Sequence, residues 1–221
     1  MKQTPSNEVA NSDLLKLIPK ASRRVVEVGS SSGALAREFK RVAPKCYYTG
    51  VEIDADYAEA SKRYCDAVVH ASIEVMDDAV FNGLFPSDCW VFGDTLEHLR
   101  DPWEVLRRIR GKIASGGCVV ACIPNAQHWS VQVKLNTGLF RYEDSGLLDR
   151  THLRWFTRIT IGEMFESTGF TIVEGGGRII GQPSEVVLSA IRGMAYCCDF
   201  DPEQAATDAI PFQWVVRAEP K

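Results

Sequence analysis

Residues 24–36 read RVVEVGSSSGALA, and the fold follows from how they are parsed. Arg24 to Val28 is an apolar run too short for a helix and stopped by Gly29, which predicts a buried strand. Ala34 to Val42 then carries Leu35 and Phe39 at helical spacing. A strand that passes through a glycine-bearing loop into a helix is the opening of a βαβ unit. Gly29 and Gly33 let the backbone pass close to a ligand, and the new helix N-terminus offers free N–H groups.

The alternation continues outward. Cys46 to Ile53 reads as a second strand, Asp56 to Tyr64 as a helix, and Ala67 to His70 as a third strand. Cys89 to Phe92 is a fourth strand and Asp101 to Ile113 a helix, after which Ser115-Gly116-Gly117 turns into a fifth strand, CVVACI. These apolar runs are continuous rather than alternating, so they predict an α/β fold with a parallel sheet covered on both faces. Upstream, residues 1–22 hold a leading helix over Asn7 to Ile18, ended by Pro19. Downstream, residues 124–158 form an inserted segment, with helix and loop over Asn125 to Asp149. Helices follow at Thr160 to Ser167 and Ser184 to Tyr196. Phe170 to Val173 and Ile179-Ile180 frame a glycine-rich bend at Gly175 to Gly177, and Phe212 to Arg217 closes with a strand. No repeat or linker interrupts the 221 residues, which predicts a single domain over 1–221.

Composition narrows the class. Hydrophobic residues at 45% and charged residues at 24% fit a globular protein. With 25 Lys and Arg against 29 Asp and Glu, the net charge of −4 argues against a coat for nucleic acid or anionic membrane. No apolar run reaches the ~20 residues of a membrane span, and the N-terminus lacks an apolar signal region, so a cytoplasmic protein is expected. The seven cysteines form no C-x-x-C pair, which disfavours a disulfide framework or a Cys-based zinc site. The adjacent Cys197 and Cys198 read as buried helix residues.

Glu52, at the end of the second strand in YTGVEID, can accept both hydroxyls of a ribose. The loop after the first strand is G-S-S-S-G rather than G-x-G-x-x-G, so the diphosphate fingerprint of a nicotinamide oxidoreductase is absent. A ribose-bearing cofactor without phosphate fits better. EVGSSSG, GVEID, CWVFGDTLEHL and GGCVVACIPN, in that order, resemble the motifs of class I S-adenosylmethionine-dependent methyltransferases. The resemblance covers about Arg23 to Phe170. It implies a Rossmann-like, doubly wound, seven-stranded sheet, mostly parallel with an antiparallel last strand. It also implies cofactor contacts from Glu27, Gly29, Ser31, Gly33, Glu52 and Ile53, with Ile53 on adenine, and from Ser72 and Asp94. Ser31 stands where the family usually has glycine, and Ser72, followed by Glu74, where it usually has Asp.

After the fourth strand, Asp94, Glu97 and His98 fall on one face if a helical turn begins there, at the strand end where such sheets bind ligands. His152 lies in the later stretch GLLDRTHLRWFTR. Two chemistries fit. A histidine takes the proton of an acceptor hydroxyl as its oxygen attacks the methyl group. Alternatively Asp94, Glu97, His98 and His152 hold Mg²⁺ or Mn²⁺, which lowers the hydroxyl pKa. This set looks like the E-x-x-E-H of small-RNA 2′-O-methyltransferases, which adds a distal His, and of ubiquinone-pathway O-methyltransferases, with Asp94 replacing the first Glu. The bland reading gives Glu97 and His98 a helix-bracing role and leaves His152 a core histidine.

No N-P-P-Y motif follows the fourth strand and no basic stripe exists, so nucleic acid is not the expected acceptor. Trp129, Tyr142, Arg150 and Trp155 offer aromatic faces and planar donors suited to a polyhydroxylated acceptor. Their bland reading is a hydrophobic lid or dimer contact. GLLDRTHLRWFT resembles bacterial methyltransferases associated with glycosyltransferases of surface-polysaccharide synthesis. That resemblance implies O-methylation of a sugar hydroxyl in a nucleotide sugar or glycan, with a homodimer or a glycosyltransferase as partner. The alternatives are a small-molecule O-methyltransferase acting on a quinone precursor or phenol, and a non-catalytic cofactor-binding partner subunit.

Overall fold

The computed structural model describes residues 8–221. The chain runs α1 (Ser12–Leu17), β1 (Arg24–Val28), α2 (Ala34–Val42), β2 (Tyr47–Glu52), α3 (Ala55–Ser61), β3 (Ala67–His70), α4 (Asp78–Gly83) and β4 (Cys89–Gly93). A single 3₁₀ turn over Leu96–His98 leads to α5 (Pro102–Arg110), β5 (Cys118–Pro124), α6 (Trp129–Asn136), α7 (Arg158–Ser167), β6 (Phe170–Arg178), α8 (Glu185–Cys197), α9 (Pro202–Asp208) and β7 (Gln213–Pro220). The strands make one sheet in the order β3-β2-β1-β4-β5-β7-β6. β7 is antiparallel to both its neighbours, and the pairs from β3 to β5 are parallel. This is the expected Rossmann-like sheet. Its strand order reverses between β1 and β4, which opens a crevice at their C-terminal ends.

The continuous apolar runs are explained by burial on both faces. On β1, Val26 and Val28 enter a core with Trp90, Phe92, Leu106 and Phe165, while Val25 points the other way to Leu35, Phe39, Tyr48 and Val91. Helix starts are chemically marked: Asp101 caps α5 ahead of Pro102, and Thr157 and Thr160 form a reciprocal capping box on α7.

Three expectations change. The leading helix is shorter than Asn7 to Ile18: Asn11 accepts from the Asp13 and Leu14 N–H groups and starts α1 at Ser12, while Asn7 lies outside the described residues. The glycine-rich bend is no bend. Gly175 to Gly177 continue β6 opposite Val216, Val215 and Trp214, and close neighbours crowd Gly175 and Gly177 while Gly176 faces open space. A Cβ on Gly175 would lie 2.8 Å from the Val215 carbonyl, and one on Gly177 would run into Pro211. The inserted segment is one helix, α6, followed by loop as far as α7. Finally, Cys197 and Cys198 are exposed, at the end of α8. Among the described residues all seven cysteines are free, and no helix is long and apolar enough to cross a membrane.

Candidate active site

A cleft of about 1130 Å³ opens along the C-terminal ends of β1, β2 and β4. Its first half is built by the loop between β1 and α2. Gly29 (φ +75°), Ser31 (+47°) and Gly33 (+80°) turn that loop through left-handed backbone. The glycines serve protein contacts as much as a ligand. A Cβ on Gly29 would meet Thr95 Oγ1 at 2.7 Å, and one on Gly33 would meet Ser61 Cα at 3.2 Å. Glu52 is buried at the tip of β2, where its carboxylate accepts from the N–H groups of Ser31 (2.7 Å), Ile53 (2.8 Å) and Asp54 (2.9 Å). Three bonds on a group with about four acceptor positions pin it against the cleft and leave room for one more donor. Ile53 is 56% exposed along the same wall, and Ser72 lines it. Beneath them Glu27 accepts the Tyr48 hydroxyl at 3.0 Å. Burial pushes its carboxyl up to about 8, the Tyr48 bond opposing and the Glu52 carboxylate adding.

The other half holds an acid and two histidines. Glu97 is 1% exposed, and neither carboxylate oxygen has a hydrogen-bond partner among the described residues. Its Oε1 lies 4.0 Å from Nε2 of His98 and 4.0 Å from Nε2 of His152, whose rings meet edge to face at 4.8 Å. One ligand atom from each of the three residues lies within 4.8 Å of the other two. Burial raises the Glu97 carboxyl well above its usual range, with the Asp94 charge adding to the shift. It lowers His98 and takes His152 down to about 4, the latter helped by His98. Burial thus disfavours the charged form of all three groups, the Glu97 carboxylate and both imidazoliums alike.

Asp94 does not join the cluster. Its backbone is left-handed (φ +52°), its N–H bonds to the Cys122 carbonyl at 3.0 Å, and the helical turn begins only at Leu96. Gln213 Nε2 donates to its side chain, and Arg178 in turn donates to Gln213 Oε1 at 2.7 Å. Loss of water in the cleft raises the Asp94 carboxyl to about 6 against the pull of Arg178.

A family model described as a methyltransferase domain matches residues 6–175. The chain belongs to this methyltransferase family. Solved structures agree in fold. Mitomycin 7-O-methyltransferase superposes with a TM-score of 0.59 at 11% identity, over 95% of this chain and 52% of that one. An O-methyltransferase of neocarzinostatin biosynthesis, solved with S-adenosylmethionine and 2-hydroxy-5-methyl naphthoic acid, gives 0.55 at 15%, over 95% and 50%. An S-adenosylmethionine-dependent methyltransferase from Thermotoga maritima gives 0.60 at 17%, over 95% and 88%. The chain spans about half the length of the first two. Among curated proteins, no sequence matches it.

The methyltransferase domain places the four expected acceptor-side residues off the cleft. Trp129 packs beside Ile191 and Ala205 of α8 and α9, and Tyr142 is exposed against Phe140. Arg150 pairs with Asp144 at 2.7 Å, and Trp155 touches His152 from outside, ring to ring at 5.9 Å. The sequence reading missed Thr95, Arg178, Gln213, Asp149 and Thr151, all on the cleft. The Asp149-x-Thr151 spacing is a turn signature that was legible. Arg178 and Gln213 carry no local signal, because the β6–β7 pairing brings them there.

Proposed function

We propose that this methyltransferase binds S-adenosylmethionine and methylates a sugar hydroxyl, in a nucleotide sugar or a glycan. The observation that carries the reading is the buried, unpartnered Glu97 carboxyl between two histidines, across one cleft from Glu52. At about 1130 Å³ the cleft exceeds the ~300–1,000 Å³ of most single-ligand sites, which suits a cofactor and an acceptor side by side. The residues present fit the cofactor: Glu52 keeps an acceptor position for a ribose hydroxyl, Ile53 offers an apolar face for adenine, and Glu27 offers a carboxyl for an ammonium group. When bound, S-adenosylmethionine supplies an electrophilic methyl group on a positively charged sulfur.

The protein's own part is to align the acceptor oxygen and to handle its proton. A neutral imidazole Nε2 on His98 or His152 can accept that proton. The same three side chains fit a divalent cation, since a carboxylate and two imidazoles make an N/O site, and two nitrogens favour Mn²⁺ over Mg²⁺. Held there, such an ion would lower the acceptor's pKa and would need Glu97 in its ionised form. Asp94, Asp144, Ser145, Arg178 and Gln213 line the remaining wall, and this polar surface favours a polyhydroxylated acceptor over a flat phenol.

Calorimetric titration with S-adenosylmethionine and S-adenosylhomocysteine tests the first step, and a panel of nucleotide sugars, glycans and phenols, with chelator or Mn²⁺, tests the second. Saturable cofactor binding and methyl transfer to a sugar are expected. Transfer to phenols alone would overturn the acceptor, and binding without any turnover would make the chain a cofactor-binding partner subunit.

A further inference from the structure

The hydrogen bonds around His98 determine which of its ring nitrogens carries the proton. Asp149 is 2% exposed, and its Oδ1 accepts both the Thr151 N–H at 2.8 Å and the Thr151 hydroxyl at 2.6 Å. A carboxylate has no proton to give, so the hydroxyl proton points to Asp149 and Thr151 Oγ1 turns lone pairs outward. Those lone pairs face His98 Nδ1 at 3.1 Å. The Thr151 carbonyl, which can only accept, lies 3.2 Å from the same nitrogen. Two acceptors at one ring nitrogen require an N–H there. We infer that Asp149 and Thr151 are positioning residues that hold His98 as the Nδ1–H tautomer, leaving its Nε2 lone pair directed at Glu97.

The surrounding chain is built for the same end. Leu153 and Arg154 donate their N–H groups to the Glu97 carbonyl at 2.8 and 3.0 Å, so the segment carrying Thr151 is clasped to the 3₁₀ turn that carries His98. The tautomer matters because an imidazole with its proton on Nε2 could neither accept a proton nor bind a cation beside Glu97. That consequence rests on the proposed methyl transfer, whereas the tautomer itself does not.

The test is a two-bond ¹H–¹⁵N correlation spectrum of histidine-labelled, metal-free protein at pH 8, with His98 assigned by its loss in His98→Gln. His98 is expected as the Nδ1–H form in the wild type and in Thr151→Ser, which keeps the hydroxyl. In Asp149→Asn the amide can donate to Thr151, the hydroxyl is free to turn to Nδ1, and a mixture of tautomers is expected. Titrated with Mn²⁺, Asp149→Asn should bind about 10–100-fold more weakly than wild type. A wild-type His98 in the Nε2–H form, or an unchanged tautomer in folded Asp149→Asn, would overturn the inference. If the tautomer is as expected but Mn²⁺ does not bind the wild type, the positioning stands and the metal-assisted route fails.

Discussion

At the scale of single residues, the site depends on carboxyls whose charge is set by burial. Glu97 has no hydrogen-bond partner among the described residues, so its value to the protein is what it holds beside His98 and His152. Glu97→Gln keeps the shape and removes the acid, while His98→Ala and His152→Ala each remove a proton acceptor. Each should lower methyl transfer by about 10²–10⁴-fold and leave the calorimetric affinity for S-adenosylhomocysteine unchanged. Full activity in both histidine variants would sink the mechanism. Glu27 allows a separate test in stability. Its carboxyl rises from 4.5 to about 8 on folding, chiefly by burial. The folded state then binds a proton that the unfolded chain has lost, so this group's contribution falls as pH rises from about 4.5 to about 8. Glu27→Gln retains an acceptor for Tyr48 and does not titrate. Its melting temperature should gain on the wild type steadily between pH 5 and pH 8, and parallel curves would refute the assignment. The cofactor's ammonium would favour the ionised form, so wild-type affinity should increase with pH over the same window and that of Glu27→Gln should not.

At the scale of elements, β1, β2, β4 and β5 are legible because their apolar runs are buried on both faces. Arg24 to Val28 matches to the residue for that reason, whereas the half-buried edge strand Ala67 to His70 is legible only as a short run around Val68 and Val69. The second half was harder. β6 contains Gly175 to Gly177, which read locally as a bend, and only the closeness of β7 explains why they continue a strand. Helices α4 and α9 were missed although Asp77 and Asp201 cap them, since each is a short piece with little apolar periodicity. In the site, Glu97, His98 and His152 were legible as chemistry, but the four acceptor-side residues were chosen by type alone, and type does not fix direction. Gly29 shows what an element boundary demands. It has φ +75°, and the space its side chain would need is filled by Thr95, whose hydroxyl bonds the Val28 carbonyl at 2.9 Å. Gly29→Ala should therefore cost about 1–3 kcal/mol in urea unfolding from backbone strain alone, with more from the displaced Thr95. A cost under 0.5 kcal/mol would mean that the β1 turn relaxes more easily than this packing implies.

At the scale of the whole molecule, one wall of the cleft exists because the chain's late elements return to its early ones. α8 and α9 leave the sheet after β6 and are tied back to it around a buried carboxylate. Asp208 is 1% exposed and accepts from Arg158 Nε at 2.8 and 2.9 Å, at the start of α7. Asn125, just past β5, donates to the carbonyls of Asp208 and Pro211 at 2.8 Å each, and the Trp129 N–H of α6 bonds the Ala209 carbonyl at 2.8 Å. The strand that follows carries Gln213 to Asp94, so this tie sets one wall of the cleft from a distance. Arg158→Ala would leave Asp208 buried without its charge partner. Breaking a fully buried pair costs about 3–5 kcal/mol, and because Arg158 is itself 43% exposed, the loss should fall at or below the lower end. Arg158→Ala with Asp208→Asn should recover part of it, since the remaining amide carries no charge. The distinguishing readout is where the damage lands. The Glu52 half of the cleft is built from β1, β2, β3 and the loops that follow them, none of which this tie touches, so affinity for S-adenosylhomocysteine should hold while methyl transfer falls. Equal loss of both would show that the two halves of the cleft are mechanically one.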